Sequence, residues 1–119
     1  MNLKNDLNYR ILIVDDSIEN LQVLSESLQE IMPECILYQT NSATKALKIA
    51  QEMLPDLIIS DWDMPGRTGI ELINDIRSKE ETKNIPVIIL TGINSEPEHV
   101  KSALEAGAVD YMRKPANIT

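Results

Sequence analysis

Side chains that could bind a metal or react follow the apolar stretches of this chain, where strands are expected to end. Asp15 and Asp16 follow the first stretch, and Asp61 follows the third. Thr91 closes the fourth stretch, and Lys114 follows the fifth. Ligands bind beyond the carboxyl ends of the strands in an open parallel sheet. We therefore expect these side chains to meet at one edge of a single sheet.

Three carboxylates at such an edge would repel one another. A like-charged pair 4 Å apart costs about 4 kcal/mol at an effective dielectric constant near 20. A hard divalent cation would offset that cost, and Mg²⁺ is commonly held by one or two carboxylates, waters and a phosphate. We therefore predict a Mg²⁺ site. Asp16 could also cap the helix that follows it.

This set of side chains suits phosphoryl transfer, in which positioning and positive charge supply most of the catalysis. A carboxylate can be the nucleophile and become an aspartyl phosphate. We predict that Asp61 attacks while Asp15 and Asp16 hold the metal. Lys114 and Thr91 would then bind the phosphoryl oxygens.

The apolar pattern predicts five strands that alternate with four helices. The expected strands are 10–14, 35–40, 57–61, 86–91 and 109–113. The first expected helix covers 18–31, and the second runs from Ala43 to Pro55 with Asn41 or Ser42 as its cap. The third follows Thr68 and runs through Ile76, and the fourth runs from 95–98 to Gly107. Such alternation implies right-handed crossovers and a parallel sheet.

Local signals mark the ends of two of these helices. Segments 68–71 and 95–98 both have the S/T-x-x-E pattern of a capping box. Gly107 is expected to end the fourth helix in a left-handed conformation. The helical spacing assigns Leu54 to the inner face of the second helix, and it continues the fourth helix through Leu104.

The length of 119 residues favours one domain. Residues 1–8 are polar and are expected to form a lead-in to a domain spanning 9–119. A fifth strand buried on both faces needs a helix after it, yet only residues 116–119 follow Pro115. We therefore expect a domain truncated at its carboxyl end and lacking the last helix, or a partner that covers the exposed flank.

Composition excludes several classes of function. The net charge of -8 would repel phosphates and argues against direct nucleic-acid binding. No apolar run is long enough to span a membrane, and the first residues lack the apolar core of a signal peptide. Cys35 is the single cysteine, so no internal disulfide can form. We expect a cytoplasmic protein.

Taken together and in order, these segments resemble the receiver domain of response regulators in two-component signalling, and the chemotaxis regulators in particular. The resemblance runs from about Tyr9 to Pro115. It is carried by Asp15-Asp16, Asp61 with Met64-Pro65-Gly66, Thr91-Gly92, Gly107-Ala108-Val109-Asp110-Tyr111 and Lys114-Pro115.

The resemblance implies a flavodoxin-like, doubly wound α/β fold with five parallel strands in the order 2-1-3-4-5. It implies that a sensor histidine kinase or a phosphotransfer protein phosphorylates Asp61. Mg²⁺ would be bound by Asp16, by Asp61 and by the backbone carbonyl of Asp63. Asp15 would act mainly through a water on the metal.

The same resemblance implies a conformational switch. The Thr91 hydroxyl would move toward the phosphoryl group while the ring of Tyr111 swings inward, and a downstream effector domain or protein would respond. Such a domain is a signal receiver in a phosphorelay and not an enzyme, because it assists only its own phosphorylation and dephosphorylation.

Two other functions use related features. Asp61-Trp62-Asp63 is similar to the nucleophile and acid pair of haloacid-dehalogenase-type phosphohydrolases, although that motif should follow the first strand and no cap over a substrate is evident. A pseudo-receiver that only binds partners is disfavoured because every reactive position is filled. A dinucleotide-binding domain is excluded because no glycine-rich loop follows the first strand.

We predict that Asp63 tunes how long the phosphoryl group persists, because it adds an acid two positions after the acceptor. Replacing it in Asp63→Ala should change access of the attacking water and so change the rate of autodephosphorylation. The measurement is the decay of the phosphorylated protein. An unchanged decay rate would remove Asp63 from this role.

Overall fold

The computed structural model describes residues 9–64, 67–91 and 97–113. Five strands form one parallel sheet: β1 (Arg10–Val14), β2 (Ile36–Thr40), β3 (Leu57–Asp61), β4 (Val87–Thr91) and β5 (Asp110–Arg113). Four helices alternate with them in the described residues: α1 (Ile18–Ile31), α2 (Ala43–Met53), α3 (Gly69–Ser78) and α4 (Pro97–Ala106). The strand order is β2-β1-β3-β4-β5, so the predicted architecture is confirmed.

The central strands are covered by helices on both faces, which explains why they are continuous apolar runs. Side chains alternate along each strand between two apolar clusters. One cluster joins Leu12 and Ile58 to α2, α3 and α4, and the other joins Ile13 and Ile59 to α1. Strand β3 lies at the centre, between β1 and β4; its pairing with β1 runs to Ser60, and its last residue, Asp61, is paired with Leu90 of β4.

One apolar residue assigned to an inner face, Leu54, lies outside the core, and Leu104 is also exposed within a helix that continues through it as predicted. Leu54 is 50% exposed, because α2 ends at Met53 and Leu54 turns away with φ +48 while its N–H still bonds the Ala50 carbonyl. Leu104 is 42% exposed on α4, whereas Ala103 is buried. Helical spacing gave the direction of the Leu54 side chain but not the residue at which α2 ends.

Strand boundaries differ from the prediction by one residue for a backbone reason. Pro86 was expected to begin β4, and its carbonyl does accept a hydrogen bond from the N–H of Ile58 at 3.0 Å. Proline has no N–H to donate, so the full ladder begins at Val87.

The predicted capping box of α3 is present. The N–H of Glu71 donates to the hydroxyl of Thr68 at 3.2 Å, and the N–H of Thr68 donates to the Glu71 carboxylate at 2.9 Å. Just before it, Asp63–Met64 and Arg67–Thr68 pair as a small antiparallel hairpin that the sequence analysis missed. The second predicted capping box begins at Ser95, which lies outside the described residues.

The guanidinium of Arg77 connects α3 to the segments that lead into β4 and β5. It donates to the carbonyls of Lys83 at 3.0 Å, Ile85 at 2.6 Å and Gly107 at 2.8 Å. Gly107 ends α4 with φ +120, the left-handed conformation expected for it. Burial lowers the pKa of Arg77 below its usual value, yet an arginine remains charged in proteins.

In the part of the chain that the structure describes, no helix combines the length and the apolar character that crossing a membrane requires.

We predict that Arg77→Met lowers the free energy of unfolding by about 2 kcal/mol or more, because three carbonyls lose a charged donor. Urea unfolding followed by circular dichroism would measure it. Lys79→Met is the matched control, since Lys79 is exposed and should change stability by no more than about 0.5 kcal/mol. Equal effects of the two substitutions would contradict this role for Arg77.

Candidate functional site

The ends of β1 and β3 bring three carboxylates together. Asp15 directly follows β1, and Asp61 is the last residue of β3; the two strands are paired, with Val14 opposite Ser60. One carboxylate oxygen from each of Asp15, Asp16 and Asp61 lies within 4.8 Å of the other two. The convergence expected from strand ends therefore occurs for these three acids.

The three acids differ in how they are held. Asp15 is buried, and its Oδ1 accepts a hydrogen bond from the N–H of Ser17 at 2.9 Å and a long one from Asn20 Nδ2 at 3.5 Å. Asp16 is exposed, and Ser17 rather than Asp16 is the N-cap of α1. The start of α1 thus orients Asp15 and leaves Asp16 open to solvent.

Asp61 is 5% exposed, and the main chain around it is tied on several sides. The hydroxyl of Ser60 donates to the carbonyl of Asp61 at 3.0 Å. The N–H of Trp62 donates to the carbonyl of Leu90 at 2.9 Å, and the N–H of Gly69 donates to the carbonyl of Trp62 at 2.7 Å. The acceptor candidate therefore ends a strand that cannot shift independently of β4 and α3.

Ser60 and Gly69 are residues that the sequence analysis passed over. The signals were nevertheless present: a serine interrupts an apolar strand next to the acid, and a glycine begins a helix where alanine has a higher helix propensity. Neither signal indicates its partner. Ser60 bonds the carbonyl of the adjacent Asp61, while Gly69 approaches the carbonyls of Asp61 and Trp62, which only the folded chain brings close to it.

Thr91 lies at the end of β4, next to Leu90, which is paired with Asp61. Thr91 is wholly buried, and its hydroxyl donates to the carbonyl of Met112 at 3.4 Å. That distance is long for an O–H donor, so the bond is weak. Tyr111, one residue before Met112 on β5, is 37% exposed.

Two predicted site residues are described only in part or not at all. Asp63 belongs to the small hairpin, where it is paired with Thr68. Lys114 lies outside the described residues, directly after Arg113, which is paired with Thr91 at the end of β5.

The donor set of the acidic cluster fits a hard cation. Carboxylates separated by less than 5 Å repel by about 3 to 4 kcal/mol per pair at an effective dielectric constant near 20, before screening. Oxygen ligands are those that Mg²⁺ prefers, and an exposed acid beside two buried ones leaves room for retained waters. The cluster can therefore hold a divalent ion, with solvent reaching it from the side of the exposed Asp16.

Comparison with known proteins identifies the family. The response regulator receiver domain matches residues 11–119. Chemotaxis protein CheY-3 of Vibrio cholerae is 32% identical over 108 residues, which are 91% of this chain and 82% of that protein. The structure of chemotaxis response regulator CheY4 of Vibrio cholerae superposes with a TM-score of 0.81 and 32% identity, covering 92% of this chain and 88% of that chain. The flavodoxin-like fold is confirmed.

A relative with another name matches over the same region. A probable cyclic di-GMP phosphodiesterase of Vibrio cholerae is 41% identical over 112 residues, which are 91% of this chain. The chain spans only 24% of the length of that relative. The shared segment is therefore the receiver portion, and the activity in the name belongs to the longer protein.

We predict that Mg²⁺ changes the fluorescence of Trp62, because this half-buried side chain directly follows Asp61 and is the only tryptophan. A titration with Mg²⁺ would give the dissociation constant. Asp16→Asn should weaken binding about tenfold or more, since it removes one charge of the cluster.

Glu52→Gln is the matched control for charge. Glu52 is exposed near the end of α2, at the opposite edge of the sheet, and its substitution should leave the titration unchanged. If Mg²⁺ does not change the fluorescence of the wild-type chain, the prediction that the metal binds beside Trp62 is wrong.

Proposed function

Because this chain belongs to the response-regulator receiver family, a family of phosphoacceptor switches, we propose that Asp61 is its phosphoacceptor. The observation that carries the proposal is position: Asp61 is a nearly buried carboxylate at the end of the central strand, within 4.8 Å of two further acids. Asp15 lies at the end of the neighbouring strand, where the N–H of Ser17, the N-cap of α1, donates to its carboxylate.

The proposed chemistry is transfer of a phosphoryl group from a phosphohistidine. An oxygen of the Asp61 carboxylate forms a bond to phosphorus, while the bond from phosphorus to the imidazole nitrogen of the donor breaks. The nitrogen keeps the bonding electron pair and takes a proton, and the product is an acyl phosphate on Asp61. No redox change occurs.

Residues of the cluster would hold Mg²⁺ for this transfer. Asp16, Asp61 and the backbone carbonyl of Asp63 are the proposed ligands, with Asp15 acting through a bound water. When bound, Mg²⁺ supplies positive charge to the phosphoryl oxygens as they approach the acids. Lys114 is proposed to add a second positive charge, and Thr91 a hydroxyl donor.

We propose that Thr91 and Tyr111 couple phosphorylation of Asp61 to a conformational change of the protein surface at β5. Among the described residues, the Thr91 hydroxyl makes one bond, at 3.4 Å to the Met112 carbonyl, which a phosphoryl oxygen, a stronger acceptor, could replace. That replacement would free the β5 backbone next to Tyr111, whose half-exposed ring could then move inward. Phosphorylation would thus bias a two-state element on this side of the sheet.

The proposed partners follow from this chemistry. A sensor histidine kinase or a phosphotransfer protein supplies the phosphoryl group, and a downstream effector domain or protein responds to the switched state. The receiver family receives signals, and we propose that this chain assists only the phosphorylation and dephosphorylation of its own Asp61. The net charge of -8 disfavours direct binding of nucleic acid by this segment.

The phosphohydrolase alternative is not supported. The family that matches residues 11–119 is the receiver family, and Asp61 closes β3, whereas the nucleophile motif of the alternative follows the first strand. Asp61-Trp62-Asp63 is therefore not proposed as a pair for turnover of phosphate esters.

We further propose that residues 9–119 form the receiver and that residues 1–8 lead into it. The start of β1 at Arg10 and the family match from residue 11 support this division. The cytoplasmic location stays a prediction from the sequence.

We predict that Asp61→Asn abolishes labelling by acetyl phosphate in the presence of Mg²⁺, because an amide oxygen is a far weaker nucleophile than a carboxylate. The intact mass of the protein would report one added phosphoryl group in the wild type and none in the variant.

Asp56→Asn is the matched control. It makes the same chemical change, and Asp56 lies just before β3, at the end of the strand opposite Asp61. It should be labelled like the wild type. Full labelling of Asp61→Asn would show that another residue is the phosphoacceptor.

A further inference from the structure

We infer that Ser60 and Gly69 are positioning residues for the phosphoacceptor, acting through the main chain of Asp61. The inference rests on the proposed function, because it concerns the geometry at which that carboxylate meets the metal and the phosphoryl donor. Neither side chain is placed in contact with the reacting atoms.

Ser60 is a buried hydroxyl in an otherwise apolar environment. It is 0% exposed, and the residues paired with it on the neighbouring strands are Val14 and Ile89. A buried hydroxyl costs free energy unless it is hydrogen-bonded. The hydroxyl of Ser60 meets that need by donating to the carbonyl of Asp61 at 3.0 Å. An apolar β-branched residue would suit this central strand better if packing alone decided the choice.

Gly69 lets the first turn of α3 pack directly against the same carbonyl. A Cβ at position 69 would lie 2.7 Å from the carbonyl oxygen of Asp61, 3.1 Å from Ile89 Cδ1 and 3.3 Å from the Cα of Trp62. The first of these contacts is closer than real Cβ atoms allow, and its partner is backbone. Any larger residue at 69 must therefore displace either α3 or the end of β3.

The two residues act on one short piece of chain. The carbonyl of Asp61 is held by Ser60 and confined by Gly69, while the next N–H, that of Trp62, is held by Leu90. The carbonyl of Trp62 is then held by the N–H of Gly69 at 2.7 Å. Two successive peptide groups after the acceptor are thus fixed in orientation.

This restraint determines how the proposed ligands face one another. The path from Asp61 to Asp63 relates the acceptor carboxylate to the backbone carbonyl proposed as a metal ligand two residues later. Phosphoryl transfer depends mainly on positioning, and a displacement near 1 Å can cost about a hundredfold in rate. Loosening these peptide groups should therefore slow transfer even when the protein stays folded.

The test compares Ser60→Ala and Gly69→Ala with the wild-type chain. The rate constant for labelling by acetyl phosphate is measured at saturating Mg²⁺, and the Mg²⁺ dissociation constant is measured by Trp62 fluorescence. We expect labelling about tenfold slower in Ser60→Ala and slower still in Gly69→Ala, with weaker Mg²⁺ binding in both. Urea unfolding establishes that each variant is folded under the assay conditions.

Two comparisons separate positioning from ordinary stability. Ser27→Ala removes another buried serine hydroxyl, on α1, and should leave labelling and Mg²⁺ binding unchanged. Gly69→Ala raises helix propensity at the start of α3, so slower labelling of this variant cannot come from a weaker helix. If Ser60→Ala does not fold, Ser60→Cys, which retains a weak donor, takes its place and should be labelled more slowly than the wild type, but by less than about tenfold.

Labelling rates and Mg²⁺ affinities within twofold of the wild type for folded Ser60 and Gly69 variants would overturn the inference. The inference would also be overturned if the decrease in labelling rate were fully accounted for by the fraction of each variant that is unfolded. Failure of the proposed function has a different result, because labelling would then persist in Asp61→Asn.

Discussion

The site of this domain depends on one constraint, the mutual repulsion of the carboxylates of Asp15, Asp16 and Asp61. The parallel sheet imposes it, since Asp15 and Asp61 end neighbouring strands and Asp16 follows directly. Nothing in the local sequence can separate these acids once β1 and β3 have paired, and burial of Asp15 and Asp61 limits screening by water. A bound cation relieves the repulsion, and the same arrangement then makes a carboxylate edge suited to a phosphoryl group.

The rest of the fold keeps that edge in place. The N–H of Ser17, the N-cap of α1, donates to Asp15, while β4 and the start of α3 hold the chain just after Asp61. Arg77 fixes the opposite end of α3 to the segments before β4 and β5. By contrast, within the described residues the hydroxyl of Thr91 makes one hydrogen bond, at 3.4 Å to the Met112 carbonyl, so this side chain assigned to switching is weakly held there.

Most of this architecture could be predicted from the sequence because it depends on signals local to each segment. Apolar runs identified β1 and β3, and the capping box marked the start of α3. Hydrogen bonds to backbone carbonyls carry no such signal, even between residues close in sequence, which is why the Ser60–Asp61 bond and the 63–68 hairpin were missed. Leu54 was misassigned for a related reason: periodicity gives the direction of a side chain in a helix but not the residue at which the helix ends.

The most direct test of the central claim is the free energy of unfolding of the wild-type chain and of Asp16→Asn, each with and without Mg²⁺. Without the ion, Asp16→Asn should be the more stable, because one of three repelling charges is gone. With the ion at about 100 times the wild-type dissociation constant, the wild type should gain about 2.7 kcal/mol and the variant, which binds about tenfold or more weakly, about 1.4 kcal/mol or less. A variant that is less stable without Mg²⁺, together with equal stabilisation of both proteins by the ion, would contradict the account.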